Sequence, residues 1–220
     1  MIGDTDGLIG RLAALSTAAV SDALDSLGVG GSVHGIQPLA TVPNSAGPAF
    51  TVAYEPADSD RGSIGDFIDD VPAGAVVVID NAGRTDCTVW GGLMTRSALT
   101  RGVAGTVIHG ACRDVSTSLA LGYPLFSVGR FMRTGKDRVR LASVAASLTI
   151  DGVTISPGDL VTADADGVVV VAANLLGRVV TLAEGIERTE QRIEDAVRAG
   201  TSLRQARADQ GYHQLQRGGR

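Results

Sequence analysis

Three short apolar segments in the middle of the chain constrain its fold more than any other feature. They occupy residues 75–80, 105–110 and 124–128 and are rich in β-branched and aromatic side chains. Runs of this length and composition are typical of strands buried on both faces, and helix-length stretches separate them. The pattern predicts an α/β fold with a parallel or mixed sheet.

The segments after this central region predict antiparallel strands. Asp151 and Gly152 form a hairpin turn signal within residues 147–155. Residues 158–161 then lead through a second turn into a run of valines at 168–171. The sheet is therefore expected to be mixed.

Helix signals flank both regions. A helix begins after Ser16 or Thr17, either of which is a suitable N-cap, and Gly28 ends it. Glycine and proline are frequent in residues 28–48, which predicts loop or irregular strand. Shorter elements are expected at residues 49–54 (strand), 63–70 (helix) and 93–101 (helix).

One long amphipathic helix is predicted at residues 174–199, with Gly200 as its end. At 1.5 Å per residue it would be roughly 40 Å long, which is long for a core of this size. Its apolar face is expected to pack on another subunit, the alternative being a solvated extension. We expect one domain over residues 1–200, followed by a polar, mobile tail at 201–220.

Composition excludes several classes of protein. The chain has 19 basic and 24 acidic residues, a net charge of −5, and no basic stripe of the kind that binds nucleic acid. No apolar run approaches the roughly 20 residues that span a bilayer, and the first residues do not resemble a signal peptide. Cys87 and Cys112 have no metal-site spacing and are expected to be packing residues. These features predict a cytoplasmic protein that binds neither membrane nor nucleic acid.

A glycine pair, Gly91 and Gly92, opens the helix predicted at 93–101. Glycine allows a ligand to approach the backbone closely, and the first N–H groups of a helix lack partners within it. The pair therefore indicates a site for a carboxylate or phosphate. The alternative is an ordinary turn.

Arg113 and Asp114 follow the strand predicted at 105–110. They converge on one ligand only if the chain turns nearby, which Gly110 permits. Asp114 would then be an oxygen ligand for Mg²⁺ or Mn²⁺, and Arg113 would neutralise charge on a substrate oxygen. Alternatively, Asp114 caps the following helix and Arg113 makes a surface ion pair.

Four blocks of the sequence resemble one family. Residues 16–24, 90–93, 101–114 and 157–171 are similar to the 4-hydroxy-4-methyl-2-oxoglutarate aldolases and the regulators of ribonuclease activity A (RraA), and the resemblance runs from about residue 12 to residue 200. It implies an RraA-like β/β/α swivelling-type domain with a mixed sheet and a long C-terminal helix. It also implies a homotrimer or a hexamer formed by two trimers, with active sites between subunits.

The same resemblance implies roles for particular residues. The carboxylate of pyruvate would lie on the backbone amides at the start of the glycine-rich helix, formed by Gly91, Gly92, Leu93, Met94 and Thr95. Arg113 would clamp the substrate and Asp114 would bind Mg²⁺ or Mn²⁺. Glu190 of a neighbouring subunit would reach the metal through water, unless it is only a solvated helix residue.

The chain departs from the aldolase pattern at one position. The aldolases carry an aspartate twenty-one residues before the arginine, where this chain has Gly92. Asp80 and Asp86 lie upstream and could replace that carboxylate, although each could instead be a turn or cap residue. His109 could contact the substrate or could simply be a hydrogen-bonded residue at a strand end.

Together these features predict a divalent-metal-dependent carbon–carbon lyase that acts on 2-oxo acids through a pyruvate enolate. Retro-aldol cleavage of a 4-hydroxy-2-oxo acid and decarboxylation of oxaloacetate both pass through that enolate. One alternative is a non-catalytic regulatory binding protein similar to the ribonuclease regulators. Another is a family member with altered chemistry in a specialised pathway.

Overall fold

A computed structural model describes residues 2–57 and 64–212, and the side chains from residue 5 onward within those ranges. Residue 63, at the start of one predicted helix, and residues 213–220 of the predicted tail lie outside the described residues. Along the chain the regular elements are α1 (Ile2–Ala13), α2 (Thr17–Ser26), β1 (Ser32–Val33), β2 (Gln37–Pro38), β3 (Ser45–Pro56), β4 (Val76–Asp80), α3 (Gly92–Thr100), β5 (Gly105–Cys112), α4 (Val115–Ala120), β6 (Leu125–Arg130), β7 (Val139–Val144), β8 (Leu148–Ile150), β9 (Val153–Ile155), β10 (Leu160–Ala163), β11 (Val168–Val171), α5 (Leu176–Arg198) and α6 (Leu203–Asp209). Two 3-10 helices lie at Asp66–Asp70 and Ala173–Leu175.

The described strands form a mixed sheet with the order β1-β11-β10-β3-β4-β5-β6-β2, and β7 pairs with β3. Strands β3, β4, β5 and β6 are parallel, while β10, β11, β1, β2 and β7 pair antiparallel to their neighbours. Strands β8 and β9 make a separate two-stranded hairpin. The expected α/β fold with a mixed sheet is therefore confirmed.

Strand β3 joins the two halves of the sheet. The prediction at residues 49–54 covers only its second part, because the strand runs from Ser45 to Pro56. Residues 45–48 pair with β10, and residues 49–53 pair with β4. One long strand thus connects the antiparallel region to the parallel region that carries the candidate site.

The alternation of side chains along the strands creates two layers on either side of the sheet. In β4, Val77 and Ile79 pack into the core beneath α3, whereas Val76 and Val78 face a second core. Val168 and Val170 of β11 belong to that second core as well. Since residues with a spacing of two share one face of a strand, the valine runs can be buried on both faces.

The long helix α5 packs within its own chain. Its apolar face, which includes Val179, Val180 and Ala183, lies against α1 and α2. An ion pair between Arg11 and Glu184, with Nε 2.7 Å from Oε1, ties α1 to α5. The helix begins two residues later and ends one residue earlier than predicted, and this packing covers much of the apolar surface that suggested a second subunit.

The structure decides between the two predicted N-caps of α2 and adds a helix in the predicted tail. Ser16 is the N-cap of α2, because its Oγ accepts a hydrogen bond from Ala19 N, so Thr17 is the first helical residue. The polar segment after Gly200 forms the short helix α6, which is capped by Ser202 and buries Ala206. Among the described helices, no single one is long and apolar enough to cross a bilayer, although the bent pair Thr5–Ala13 and Thr17–Ser26 meets the test of length and composition together.

Candidate functional site

The parallel strands β4 and β5 end at one edge of the sheet, and Arg113 and Asp114 follow directly after β5. The chain turns at Asp114 itself, whose backbone is left-handed with φ 56° and ψ 37°. Aspartate tolerates this conformation better than most residues because its short polar side chain can form local hydrogen bonds. The predicted turn is present, but it lies four residues after Gly110.

Asp114 has a different hydrogen-bond partner from the one its sequence position suggests. It occupies the N-cap position of α4, but its side chain makes no capping hydrogen bond there. Instead, Gly92 N donates to Asp114 Oδ2 at 2.8 Å. The carboxylate therefore stabilises the N-terminus of α3 rather than that of its own helix, and the other oxygen, Oδ1, accepts no hydrogen bond from the residues that the structure describes.

Arg113 is held by its backbone next to this carboxylate. Its N–H donates to Trp90 O at 2.9 Å, which places residue 113 beside the start of α3. The Arg113 Nε atom lies 3.8 Å from Asp114 Oδ2, and both side chains are about half exposed, at 42% and 48%. An ion pair this exposed contributes little to folding stability, so both groups are free to meet a ligand.

The N-terminus of α3 retains two unpaired amides. Gly92 N donates to Asp114, and Thr95 N donates to Gly91 O within the first turn. Leu93 N and Met94 N have no hydrogen-bond acceptor within the part of the chain that the structure describes. An anion at this helix end would bind to these two N–H groups.

Gly91 keeps this end of the helix close to the catalytic candidates. A Cβ atom at residue 91 would lie 2.8 Å from Asp114 Oδ2 and 3.2 Å from Arg113 Nε. At Gly92 the nearest atoms, including Asp114 Oδ2, would be 3.4 Å away, which is ordinary contact. A side chain at position 91 would therefore collide with Asp114, whereas position 92 has room for one.

Most of the predicted site residues line one cleft with a volume of about 640 Å³. They are Gly91, Gly92, Leu93, Met94, Arg113 and Asp114. A smaller cleft of about 320 Å³ shares Arg113 and Asp114 and is also lined by Arg130, Phe131 and Met132. The arginine and the aspartate thus stand where two clefts meet.

Two predicted residues are not in either cleft. Thr95 is fully buried, and its hydroxyl accepts from Trp90 Nε1 at 3.0 Å and lies 2.9 Å from Ser118 Oγ. Both its amide and its hydroxyl are engaged inside the protein, so the structure does not bring Thr95 together with the other predicted residues at the cleft. Glu190 lies on α5 near Asp22, Glu187 and Glu194, where burial and these charges raise the pKa of its carboxyl.

The upstream carboxylates that could have replaced the missing aspartate are engaged elsewhere. Asp80 Oδ1 lies 2.8 Å from His109 Nδ1, and Asp86 receives two hydrogen bonds of 3.0 Å from Arg84. The hydrogen bond with Arg84 lowers the pKa of the Asp86 carboxyl. None of the three residues Asp80, Asp86 and His109 lines either of the two clefts.

The larger cleft contains charged residues that the sequence did not single out. Asp66 and Asp69 come from the 3-10 helix at Asp66–Asp70, and Lys136 comes from the segment between β6 and β7. They belong to no motif: Asp66 and Asp69 precede Arg113 by 47 and 44 positions, and Lys136 follows it by 23. Their position in the same cleft as Arg113 is visible only in the folded structure.

The donor set suits Mg²⁺ or Mn²⁺ better than a softer metal. Within the described ranges, no three His, Cys, Asp or Glu side chains come together as a metal site. A hard cation of this kind is commonly bound by one or two carboxylates, with substrate oxygens and water completing the coordination. Asp114, with one oxygen available beside an open cleft, fits that role.

Comparison with known proteins identifies relatives with different names. Protein DlpA of Legionella pneumophila is 42% identical over 210 residues, covering 94% of this chain and 34% of DlpA, so this chain spans about a third of that relative. A protein from Halalkalibacterium halodurans is 34% identical over 191 residues, covering 84% of this chain and 88% of the relative. That protein carries the provisional name 4-hydroxy-4-methyl-2-oxoglutarate aldolase.

Solved structures agree with this fold. An uncharacterized protein from Pseudomonas syringae pv. tomato str. DC3000 has a TM-score of 0.87 and 46% identity, covering 92% of this chain and 97% of that one. Streptomyces coelicolor RraAS2, described as an unusual member of the RNase ES inhibitor RraA protein family, has a TM-score of 0.77 and 28% identity, covering 84% and 95%. Residues 17–170 match the family model described as RraA-like, Aldolase/RraA. The chain belongs to the RraA-like family.

Proposed function

We propose that the protein is a divalent-metal-dependent lyase that cleaves a carbon–carbon bond of a 2-oxo acid. The observation that carries this proposal is the single cleft that holds the Arg113 guanidinium, the Asp114 carboxylate and the unpaired amides of Leu93 and Met94. Relatives named as 4-hydroxy-4-methyl-2-oxoglutarate aldolases support the same class of reaction.

The cleft offers a partner for each end of a 2-oxo acid. The substrate carboxylate binds to the N–H groups of Leu93 and Met94, where the partial positive charge of the helix end favours an anion. The planar fork of Arg113 then faces the 2-oxo oxygen. Bound Mg²⁺ or Mn²⁺, held by Asp114, would supply a Lewis acid that polarises this carbonyl group.

In the retro-aldol direction, the C4 hydroxyl loses its proton to a base and the bond between C3 and C4 breaks. The electron pair of that bond moves into the C2–C3 bond and leaves negative charge on the C2 oxygen, giving the enolate of pyruvate. Arg113 stabilises this oxygen because its charge develops only as the bond breaks. An aldehyde or ketone departs, and protonation at C3 completes pyruvate.

Oxaloacetate reaches the same enolate when its C4 carboxylate leaves as CO₂. The smaller cleft next to Arg113 and Asp114 has room for a larger departing fragment, with Arg130 to meet a negative charge and Phe131 and Met132 to contact apolar groups. We further propose that the protein works in the cytoplasm as a trimer or hexamer, in which Glu190 of one subunit serves the site of its neighbour.

The test is to incubate the purified protein with Mg²⁺ or Mn²⁺ and a panel of 2-oxo acids, and to measure released pyruvate. We expect pyruvate from oxaloacetate, from 4-hydroxy-2-oxo acids, or from both, and none after chelation with EDTA. Absence of pyruvate from every substrate would contradict the proposal.

A regulatory binding function is the second candidate, and the similarity to Streptomyces coelicolor RraAS2 favours it. The missing aspartate at Gly92 is compatible with it as well. A protein that binds Mn²⁺ weakly or not at all, releases no pyruvate, and inhibits a ribonuclease at stoichiometric concentration would support this candidate over the lyase.

A further inference from the structure

The larger cleft contains two carboxylates besides that of Asp114, and their surroundings differ. Asp69 faces the guanidinium of Arg101, with Oδ1 4.0 Å from Nη1, and Arg101 also donates to the backbone oxygen of Asp69. The side chain of Asp66 makes no hydrogen bond or ion pair with any residue in ranges 2–57 and 64–212. Of the two, Asp66 is therefore the carboxylate that is free to act on a ligand in the cleft.

The buried hydroxyl of Tyr54 lies close enough to Asp66 to feel its charge. Tyr54 is 6% exposed, and its hydroxyl has no hydrogen-bond partner among the described residues. Burial raises the pKa of the Tyr54 phenol, the backbone N–H of Gly65 opposes this, and the charge of Asp66 raises the pKa further, so the hydroxyl keeps its proton and remains a donor. An unpaired buried hydroxyl costs about 1–3 kcal/mol, which a hydrogen bond to the Asp66 carboxylate would recover.

None of the aspartates expected from the sequence supplies a second carboxylate to the proposed site beside that of Asp114. Asp114 already uses one oxygen for Gly92 N, and the aldolase aspartate is replaced here by Gly92. Asp80 and Asp86, the substitutes expected from sequence, are engaged by His109 and Arg84. Asp66 lies on the 3-10 helix that faces the N-terminus of α3 across the cleft, where Gly65 approaches Met94.

We propose that Asp66 supplies the second carboxylate of the metal and substrate site, in place of the aspartate that the aldolases carry at position 92, and that the Tyr54 hydroxyl orients it. The inference rests on the proposed divalent-metal function. Asp66 is a positioning residue that accepts hydrogen bonds from water around the cation, because it does not join Asp114 in a direct cluster of ligands among the described residues. Such outer partners typically change metal affinity or activity by about 10- to 100-fold.

The experiment measures Mn²⁺ affinity by titration calorimetry for the native chain, Asp66→Asn, Gly92→Asp and the double variant. Asp66→Asn should lower the affinity about tenfold. Adding Gly92→Asp should restore at least half of that loss on a logarithmic scale. The restoring substitution is sterically feasible, since Gly92 is the first residue of α3 and a Cβ there would lie 3.4 Å from its nearest neighbours.

Two further variants separate a specific role from a general charge effect. Asp69→Asn removes the same charge from the same cleft and should change Mn²⁺ affinity by less than about threefold. Tyr54→Phe should lower affinity in the same direction as Asp66→Asn but by less, because it removes only the hydroxyl proposed to orient the Asp66 carboxylate; its melting temperature is the control for folding.

Several results would overturn the assignment. One is an Asp66→Asn variant that binds Mn²⁺ as the native chain does, and another is an Asp69→Asn variant that is equally impaired. The other two are a folded double variant that recovers no affinity and a native chain that binds no Mn²⁺. If Gly92→Asp prevents folding, the comparison of Asp66→Asn with Asp69→Asn decides alone. Pyruvate release is measured in parallel: the expected affinities without any pyruvate would contradict the lyase function but leave the role of Asp66 in place.

Discussion

The backbone N–H of Gly92 donates a hydrogen bond of 2.8 Å to the carboxylate of Asp114, twenty-two positions later in the chain. This contact joins the two features that the sequence offers separately, a glycine-rich helix start and an Arg-Asp pair at a strand end. It also means that Asp114 has a structural task in addition to its proposed task as a metal ligand. Substitutions must therefore be chosen to remove one task without the other.

Asp114→Asn should abolish Mn²⁺ binding while the protein remains folded. Asparagine keeps an oxygen that can accept from Gly92 N, and it tolerates the left-handed backbone at φ 56°. It loses the charge that a hard cation requires. Calorimetry tests the loss of Mn²⁺ binding, and a melting curve tests whether the protein remains folded.

Asp114→Ala is the matched comparison and should also lower stability by about 1 kcal/mol through loss of the cap. Unchanged metal binding in Asp114→Asn would reduce Asp114 to a capping residue.

Arg113→Lys should lower kcat by at least about tenfold, or roughly 1.4 kcal/mol of transition-state stabilisation. Lysine keeps the positive charge but loses the planar fork that faces the 2-oxo oxygen. Steady-state pyruvate release measures the effect, and Arg178→Lys on the exposed side of α5 is the control. Activity within twofold of the native protein would remove Arg113 from the mechanism.

Alanine should weaken Mn²⁺ binding at Gly91 but should be tolerated at Gly92. In Gly91→Ala the new Cβ lies 2.8 Å from Asp114 Oδ2, so the carboxylate must move and its hydrogen bond to Gly92 N weakens. We expect a folded protein with Mn²⁺ affinity lowered by at least about tenfold. Gly92→Ala meets only ordinary contacts and adds a good helix former, so its melting temperature should be unchanged or higher. Equal behaviour of the two variants would contradict this geometry.

Asp164 should make stability depend on pH in acid. Burial by itself raises the pKa of its carboxyl, but hydrogen bonds from Thr17 Oγ1 (2.6 Å), Thr17 N (2.8 Å) and Asp166 N (2.9 Å) outweigh burial and lower the pKa. Because the folded pKa is depressed, the stabilisation is complete above the unfolded value of about 3.9 and is lost as pH falls through the folded value.

The measurement is urea unfolding of the native chain and Asp164→Asn over this pH range. We expect a difference of about 1–2 kcal/mol at pH 7 that shrinks below about pH 3.9. Asp166→Asn, which changes an exposed neighbour in the same turn, should behave as the native chain. A difference that is constant with pH would show that the charge of Asp164 is not responsible.

Glu190 should act in the site of a neighbouring subunit. Light scattering should give at least three times the mass of one chain, and Glu190→Gln and Arg113→Ala should each lose most of the activity. Mixed oligomers of these two variants contain some sites with both native residues, so mixing after mild dissociation should restore part of the activity. A monomer, or mixtures without recovery, would leave Glu190 as an ordinary residue of α5.

The central strands could be predicted because the residues of each strand are themselves largely apolar and β-branched. Strands β4, β5 and β6 lie within two residues of their predicted ends, since β-branched and aromatic runs of this length favour no other buried element. Strand β7 was missed because its residues are partly exposed and carry no apolar run. The full length of β3 was missed because its first residues, 45–48, become a strand only by pairing with β10.

The candidate site also has some features that the local sequence predicts and others that only the packing of distant elements determines. The sequence alone determined that an Arg-Asp pair follows a buried strand and that a glycine pair opens a helix, since both are properties of neighbouring residues. The tertiary structure decided that Asp114 caps α3 rather than α4, that Thr95 is buried, and that Asp66 shares the cleft with Arg113. A hydrogen-bond partner or a cleft neighbour that is tens of residues away has no local signature, because its position depends on how whole elements pack.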